Sequence, residues 1–276
     1  MSSQWAHKFF NNPAYPDIIE LKGITQIYHD KGQQKVVIDD LNMLVEQIPP
    51  NGVFVVILGK SGCGKSTLLR YIAGLQKPTK GEILINEKPQ TDEHPISMVF
   101  QQYSSFPWYT VLQNVMLPLE FQGHDKKESE ALARAMIKEV GLEGHENKYA
   151  QYPILSGGQL QRVAIARSLV SNPSIILMDE PFGALDTNTR FQMQLMLARI
   201  WLKIKSTIIL VTHDINEAVF LADWIFIMKS DPGEIAEAIK IDLPLERGKE
   251  TKRTPEFIKL VQQTEDVLWK VINGLK

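Results

Sequence analysis

The chain has 276 residues, of which 44% are hydrophobic and 22% are charged, and its formal net charge is −2. This is the composition of an ordinary globular protein with enough apolar residues for a core. The near-neutral charge gives no electrostatic footprint for nucleic acid. Cys63 is the only cysteine, which excludes an internal disulfide or a thiolate zinc cluster and favours a reducing, cytosolic setting.

The apolar segments are too short to cross a membrane. The N-terminus, MSSQWAHK, lacks the apolar stretch and small-residue cleavage site of a secretory signal. No apolar run approaches the roughly 20 residues that a membrane-spanning helix needs. If the protein serves a membrane, we expect it to do so from outside the lipid.

Short apolar runs alternate with helical patterns along most of the chain. Residues 53–58 have the length and β-branched content of a buried strand, and a glycine-rich segment and a helical pattern follow them. Further strand and helix patterns lie, in chain order, at 175–178, 187–205, 207–212, 214–222 and 224–228. Strands that alternate with helices predict an α/β domain with a mainly parallel sheet.

The segment from Gln101 to Val170 differs from its surroundings. It has helical patterns at 111–121 and 126–140, and no strand pattern comparable to those on either side. We therefore predict a helical subdomain, at about 101–170, inserted into the α/β core.

A turn-rich connector at 229–252 leads to a final helical pattern. Thr254-Pro255-Glu256 supplies an N-cap, a proline at the first helical position and a first-turn acid. These residues predict the start of an amphipathic helix. It either packs on the core or binds a partner.

Residues 59–66 match the P-loop pattern, and they lie between a strand and a helix as that pattern requires. Glycines let successive backbone N–H groups surround phosphate oxygens, and the positive end of the following helix adds to the attraction. Lys65 is placed to reach the β- and γ-phosphates, and the Ser66 hydroxyl to ligate Mg²⁺. A chance match is about a 1% event in a random chain of this length. The predicted phosphate-binding residues are Gly59, Lys60, Ser61, Gly62, Cys63, Gly64, Lys65, Ser66 and Thr67.

The strand pattern at 175–178 ends in two acids, Asp179 and Glu180. This is the Walker B arrangement, in which the first acid holds Mg²⁺. The second acid is placed to polarise the water that attacks the γ-phosphate. Two acids after a strand are more often a solvated turn, but the P-loop upstream favours the catalytic interpretation.

Leu155-Ser156-Gly157-Gly158-Gln159 resembles the signature motif of the ABC ATPase superfamily. A serine hydroxyl and two glycines at a helix start form a second phosphate-binding N-terminus, although Ser-Gly-Gly in isolation would be only a capped helix. One chain needs one such cradle, so a second makes sense if it closes over ATP bound to another copy. The resemblance implies that arrangement, a head-to-tail dimer with ATP at the interface. Its binding residues would include Ser156, Gly157, Gly158 and Gln159.

Other matches follow in the order of that family. Gln101 resembles the Q-loop glutamine, which contacts Mg²⁺ and water, and His213 resembles the switch histidine, which positions the attacking water. Residues 184–186 resemble the D-loop, and Tyr28 resembles the aromatic residue that stacks on adenine. The resemblance thus implies ATP and Mg²⁺ as cofactors. The implied catalytic residues are Glu180, His213 and Lys65, and the implied metal residues are Ser66, Gln101 and Asp179.

The resemblance covers roughly residues 18–230 and implies the ABC ATPase fold. That fold is α/β, with a P-loop NTPase core and a mainly parallel sheet, an antiparallel β N-terminal part and an inserted α-helical subdomain. We assign 18–235 to the ATPase domain and 236–276 to a connector and amphipathic helix. Residues 1–17 form an N-terminal extension.

Within the superfamily, Phe106-Pro107-Trp108 and the segment 212–223 are similar to the nitrate, sulfonate and taurine-type importers. The implied function is ATP hydrolysis that powers solute import, at the cytoplasmic face of the inner membrane as a peripheral protein. The implied partners are a second copy of the chain, integral permease subunits that dock near 106–108 and, indirectly, a solute-binding protein. No nucleic acid is expected.

Two other functions remain possible on the sequence. An ABC ATPase could act on nucleic acid or the ribosome, but its repair relatives carry a long coiled-coil insertion or extra cysteines, and its translation relatives carry two ATPase domains. A kinase or GTPase would leave the signature segment unexplained, and no Asn-Lys-x-Asp motif is present. An exporter is also disfavoured, because exporters of the family commonly fuse the membrane domain to the ATPase in one chain.

Cys63 carries a separate hypothesis. At a helix N-terminus beside Lys65, its thiol could have a lowered pKa and be reactive. The alternative is a small residue tolerated in the loop.

Overall fold

The structure is a computed structural model, and it describes residues 15–30, 33–48, 52–91, 96–102 and 104–274. All but the last three residues of the predicted N-terminal extension lie outside the described residues. The chain divides into two compact units. The first unit holds the residues up to Ile96 and those from Thr207 onwards, and the second holds Ser97–Ser206.

Strands and helices alternate along both units. In chain order, the described residues form β1 (Asp17–Asp30), β2 (Gln33–Glu46), β3 (Phe54–Gly59), α1 (Lys65–Ile72), β4 (Lys80–Ile85), β5 (Lys88–Pro89), β6 (Ser97–Val99), α2 (Val111–Phe121), α3 (Lys126–Glu139), α4 (Gly157–Leu169), β7 (Ile175–Asp179), α5 (Thr187–Ile204), β8 (Thr207–Thr212), α6 (Ile215–Leu221), β9 (Trp224–Lys229), β10 (Glu234–Lys240), a 3₁₀ turn (Lys249–Arg253) and α7 (Pro255–Asn273). No helix among these residues is long and apolar enough to cross a bilayer.

The first unit contains an antiparallel sheet and a group of mainly parallel strands. The antiparallel sheet has the order β2-β1-β4-β5. In the second group β3 lies between β8 and β9, both parallel to it, and β10 runs antiparallel to β9. Every residue of β3 and β8 is buried, which explains why these segments are continuous apolar runs. The predicted mixed α/β fold, with an antiparallel N-terminal part and a mainly parallel sheet, is confirmed.

Helix α7 packs on the core of the first unit. Thr254 Oγ1 accepts a hydrogen bond from Phe257 N at 3.2 Å, and Pro255 is the first helical residue, as the sequence predicted. The helix buries Phe257 and Thr264 against its neighbours α6, β9 and β10. Of the two interpretations of this helix, the structure shows the packed one.

The second unit joins two short strands to four helices. Strands β6 and β7 pair in parallel with Val99 opposite Met178. Helices α2, α3 and α4 pack on one another, and α4 also contacts β6 and α5. Among the described residues between Gln101 and Val170 no strand element forms, in agreement with the sequence pattern.

Candidate nucleotide site

The phosphate loop, Gly59–Ser66, connects the buried end of β3 to the first turn of α1. Gly62 and Gly64 have φ angles of 83° and 105°, a left-handed backbone that residues with a Cβ rarely adopt. Lys65 is buried, and its Nζ donates to the carbonyls of Gly59 and Lys60 at 2.8 and 2.9 Å. The loop thus brings a helix N-terminus and a buried ammonium group together, which is the chemistry of an anion site.

His213 lies at the same sheet edge as the phosphate loop. Strands β3 and β8 run parallel with Leu58 opposite Thr212, so Gly59 and His213 follow neighbouring strands at their carboxyl ends. The turn at His213 is fixed because Asp214 N donates to Thr212 Oγ1 at 3.1 Å. Ligands of open α/β sheets bind outside the carboxyl ends of the strands. His213 is exposed at this edge.

Tyr28 lies on β1 in the antiparallel sheet of the same unit, and its side chain is 43% exposed. Its hydroxyl accepts a hydrogen bond from Gln76 Nε2 at 3.2 Å. Neighbouring Tyr71 donates to Gln26 Oε1 at 2.5 Å. Burial is the main cause that raises the pKa of the Tyr71 hydroxyl, and the nearby Tyr28 raises it further. This phenol is therefore protonated at neutral pH. An exposed ring that is held at its hydroxyl is suited to stacking on a base.

In the second unit, Gln101 and the two acids also share one strand edge. Because Val99 is opposite Met178 in a parallel pair, Gln101 and Asp179 both lie at the carboxyl ends of their strands. Asp179 is buried and Gln101 is exposed. Glu180 has a φ of 42°, and its carbonyl accepts from Gly183 N at 3.1 Å. Left-handed backbone at a residue with a Cβ concentrates at functional sites.

Ser156 begins helix α4 with a reciprocal cap. Its Oγ accepts from Gln159 N at 3.3 Å, and Gln159 Oε1 accepts from Ser156 N at 2.9 Å. Because accepting uses a lone pair of the hydroxyl, the Ser156 proton can still be donated to a phosphate oxygen. Gly158 lies so close to α5 that a Cβ there would be 2.8 Å from Thr189 Cγ2. The exposed start of this 13-residue helix is thus suited to an anion.

The predicted site residues are divided between the two units. The first unit carries Tyr28, the phosphate loop, Thr67 and His213, and the second carries Gln101, Ser156, Gly157, Gly158, Gln159, Asp179 and Glu180. The described residues contain no cluster of three or more His, Cys, Asp or Glu that could hold a metal ion by themselves. The three predicted Mg²⁺ residues offer a hydroxyl, an amide and a carboxylate oxygen, which are donors that this hard cation prefers. In composition, this donor set fits Mg²⁺.

Cys63 is only 2% exposed. Reactive cysteines are at least partly accessible, so the structure favours the small tolerated residue over the reactive thiol.

Asn114 is a structurally important residue that no sequence motif points to. Its Nδ2 donates to the carbonyls of Phe106, Tyr109 and Thr110, and its Oδ1 accepts from Phe106 N at 2.8 Å. This fully buried amide therefore fixes the segment that contains the predicted docking residues. The available signal was a polar residue among the apolar positions of α2.

A phosphate loop, strand-end acids and a second, capped glycine helix start in one chain define the ATP-binding cassette class of ATPases. The family model for ABC transporters matches residues 42–183, about half of the chain. The chain belongs to this family and is an ATPase of it, as predicted.

The chain is similar to import proteins over most of its length. It is 47% identical to the aliphatic sulfonates import ATP-binding protein SsuB 1 of Shouchella clausii, over 80% of this chain and 81% of the relative. It is 41% identical to the nitrate import ATP-binding protein NrtD of Synechocystis, over 91% of this chain and 94% of the relative. It is 40% identical to the taurine import ATP-binding protein TauB of Escherichia coli, over 85% of this chain and 92% of the relative.

Among solved structures, the chain resembles the dimeric ATP-binding cassette MJ0796 in a post-hydrolysis state bound to ADP and Pi. The TM-score is 0.70 at 34% identity, over 82% of this chain and all of that chain. The chain therefore has the fold of an ATP-binding cassette as well as the sequence features of the family.

Proposed function

We propose that this chain is the ATP-hydrolysing subunit of an importer for solutes of the nitrate, sulfonate and taurine class, and that it works through separate permease subunits. The observation that carries the ATPase role is the phosphate loop, where Gly62, Gly64 and buried Lys65 form an anion site at a helix start. The import role is supported by relatives of 40–47% identity that are named as import proteins. None of these names refers to nucleic acid or the ribosome.

ATP binds with its phosphates on the loop and its adenine on Tyr28. Lys65 exchanges the carbonyls of Gly59 and Lys60 for phosphate oxygens, which a positive ammonium prefers. Ser66, Gln101 and Asp179 are the residues that would hold Mg²⁺, and the cation would neutralise charge on the phosphates. The triphosphate is thereby fixed before chemistry begins.

Glu180 and His213 carry out the water-activating part of hydrolysis. Glu180 accepts a proton from the attacking water as general base, and its left-handed backbone fixes the direction in which the carboxylate leaves the strand. His213 donates to the γ-phosphate from the carboxyl end of β8.

A second copy of the chain completes each site. The Ser156 hydroxyl and the exposed start of α4 face the γ-phosphate held by the partner's loop. The dimeric relative with ADP and Pi supports this arrangement. The isolated subunit therefore binds ATP but hydrolyses it well only as a dimer.

The permease docks on an aromatic group made of Phe106, Trp108 and Tyr109. Their ring centroids lie 5.5, 6.0 and 6.4 Å apart, and Arg167 lies over the Phe106 ring at 4.9 Å. The Trp108 side chain is 65% exposed although it is large and apolar. Such an exposed anchor suits a protein partner. The subunit then works at the cytoplasmic face of the membrane, and a solute-binding protein acts only through the permease.

The substitution Glu180→Gln tests the ATPase mechanism. The amide keeps the size of the side chain but cannot act as a base, so ATP binding should persist while turnover falls by about 10²-fold or more. Binding and steady-state hydrolysis are measured on the same preparation, with the exposed Glu246→Gln as control. Hydrolysis at the wild-type rate in Glu180→Gln would remove Glu180 from the role of base.

A further inference from the structure

Three residues form a surface behind the phosphate loop, which we call the back wall: Ile38 of β2, Met228 of β9 and Gly233 of the turn between β9 and β10. A Cβ on Gly59 would lie 2.5 Å from Met228 O. A Cβ on Gly64 would lie 3.2 Å from both Ile38 Cγ1 and Met228 Cε. Two loop glycines therefore touch the back wall directly.

The closest contact of the back wall is between Gly233 and the carbonyl of Cys63. A Cβ on Gly233 would lie 2.4 Å from Cys63 O, 2.9 Å from Met228 Cε and 3.0 Å from Val37 O. Gly233 is not among the glycines with a positive φ. Glycine is needed here for space and not for backbone conformation, so an alanine would act by contact alone.

Gly233 is also held on the side away from the loop. Its N–H donates to Val37 O at 2.8 Å, and its carbonyl accepts from Asp39 N at 3.4 Å. At the base of the turn, Lys229 and Glu234 form an ion pair at 2.6 Å. Because the turn is bonded to β2, a methyl group on Gly233 would displace the phosphate loop more readily than the turn.

We propose that Gly233 is a positioning residue of the ATP site: it sets the place of the Cys63 carbonyl and, through it, the curvature of the phosphate loop. This inference rests on the proposed binding of ATP by the loop. In Gly233→Ala the contact to Cys63 O must lengthen by at least about 0.6 Å to reach 3.0 Å, the shortest separation that real Cβ atoms show. Misplacement on the ångström scale at a phosphate site is costly, since its N–H groups must all meet the same oxygens.

Gly233→Ala is tested against Gly248→Ala, whose added Cβ meets nothing within 4 Å. ATP affinity is measured by calorimetry in the Glu180→Gln background, where ATP is not consumed. We expect Gly233→Ala to weaken ATP binding by about tenfold or more and Gly248→Ala to leave it unchanged. With Glu180 restored, KM for ATP should rise more than kcat falls, because saturating ATP draws the loop back into place.

Cys63 gives a second readout that does not depend on ATP. It is the only cysteine, and it is buried beside the proposed contact, so its alkylation by N-ethylmaleimide reports movement of the loop. Alkylation should be faster in Gly233→Ala than in the wild type or Gly248→Ala at a temperature where all three are folded. Equal alkylation rates and equal ATP affinities in the three proteins would overturn the proposal.

A milder variant covers the case in which Gly233→Ala does not fold. Glu234→Gln breaks the partly exposed ion pair at the base of the turn and adds no volume. Faster Cys63 alkylation in this variant supports the proposal, and the wild-type rate contradicts it. If wild-type protein bound no ATP, the proposed function would fail, while the alkylation comparison would still decide whether Gly233 positions the loop.

Discussion

Arg247, in the connector before α7, should be among the most stabilising charged residues of the first unit. Its guanidinium is buried, and it donates to Pro244 O at 3.2 Å, to Phe220 O at 3.0 Å and to Asp223 Oδ1 at 3.4 Å. The other carboxylate oxygen of Asp223 accepts from Phe54 N at 2.9 Å, at the start of β3. The pair thus joins the connector to the strand that leads into the phosphate loop.

Arg247→Ala removes one partner of this buried pair and leaves the other in place. The loss of one partner of a fully buried pair costs about 3–5 kcal/mol. The Asp223 side chain is still partly exposed and the ion pair is long, so we expect a decrease in the free energy of unfolding of about 2–4 kcal/mol. The buried hydrogen bond to the Phe220 carbonyl accounts for part of this loss, since that oxygen would stay buried without its donor.

The effect should depend on pH. Burial raises the pKa of the Asp223 carboxyl, while Phe54 N–H and Arg247 lower it. Without Arg247 the pKa rises further. A carboxyl whose pKa is higher in the folded state binds more protons there, so the free energy of unfolding falls as pH rises from the unfolded to the folded pKa. In Arg247→Ala the interval between the unfolded and folded pKa of Asp223 is wider than in the wild type. The loss of free energy of unfolding relative to the wild type should therefore be larger near pH 7.5 than near pH 5.

Urea unfolding followed by tryptophan fluorescence measures this difference, with Trp224 next to Asp223 as a local reporter. Arg253→Ala is the matched control, because Arg253 lies in the same connector but its ion pair with Glu250 is exposed and should contribute little. Arg247→Lys should fall between wild type and alanine, because lysine keeps the charge but not the planar fork. A deficit below about 1 kcal/mol in Arg247→Ala, equal at both pH values, would refute the argument.

Two other predictions concern the second unit. Gly158→Ala places a methyl group 2.8 Å from Thr189 Cγ2. ATPase activity that depends on the dimer should therefore fall, while ATP binding by the single subunit persists. Adding Thr189→Ser, which removes Cγ2, should recover activity, and failure of this rescue would show that the contact is not the cause. Trp108→Ala should reduce co-purification with the permease without loss of stability, because the side chain is 65% exposed. Trp269→Ala on α7, at 61% exposure, is its control, and equal recovery of the permease with both variants would contradict docking at Trp108.

Local signals predicted the elements well because each depends on a few neighbouring residues. The strand patterns at 207–212 and 175–178 became β8 and β7 within one residue, since continuous apolar runs are needed when both faces are buried. Helix α7 begins at Pro255 after the Thr254 cap for the same reason: the cap bonds lie within one turn. The phosphate loop could be recognised from eight consecutive residues.

Contacts between distant residues could not be predicted in this way. Arg247 reaches Asp223 across 24 positions and Asp223 reaches Phe54 across 169 positions, and no periodic pattern connects them. The connector was therefore predicted only as turn-rich, although it contains one of the most buried arginines. Its charge suggested an exposed position, and only the fold provides the carbonyls and the carboxylate that make burial possible.

The glycines show which structural requirements can be predicted from the sequence and which cannot. Gly62 and Gly64 are required by their positive φ angles, a local property that the P-loop pattern already encodes. Gly158 and Gly233 have no such angle, and glycine is needed because Thr189 Cγ2 and the Cys63 carbonyl leave no room for a Cβ. A turn glycine and a glycine in a helix start look ordinary in the sequence until the facing surface is known. If Gly233 positions the loop as proposed, the geometry of the phosphate site depends in part on residues far from its motif, and substitutions at the back wall should alter ATP affinity without touching ATP.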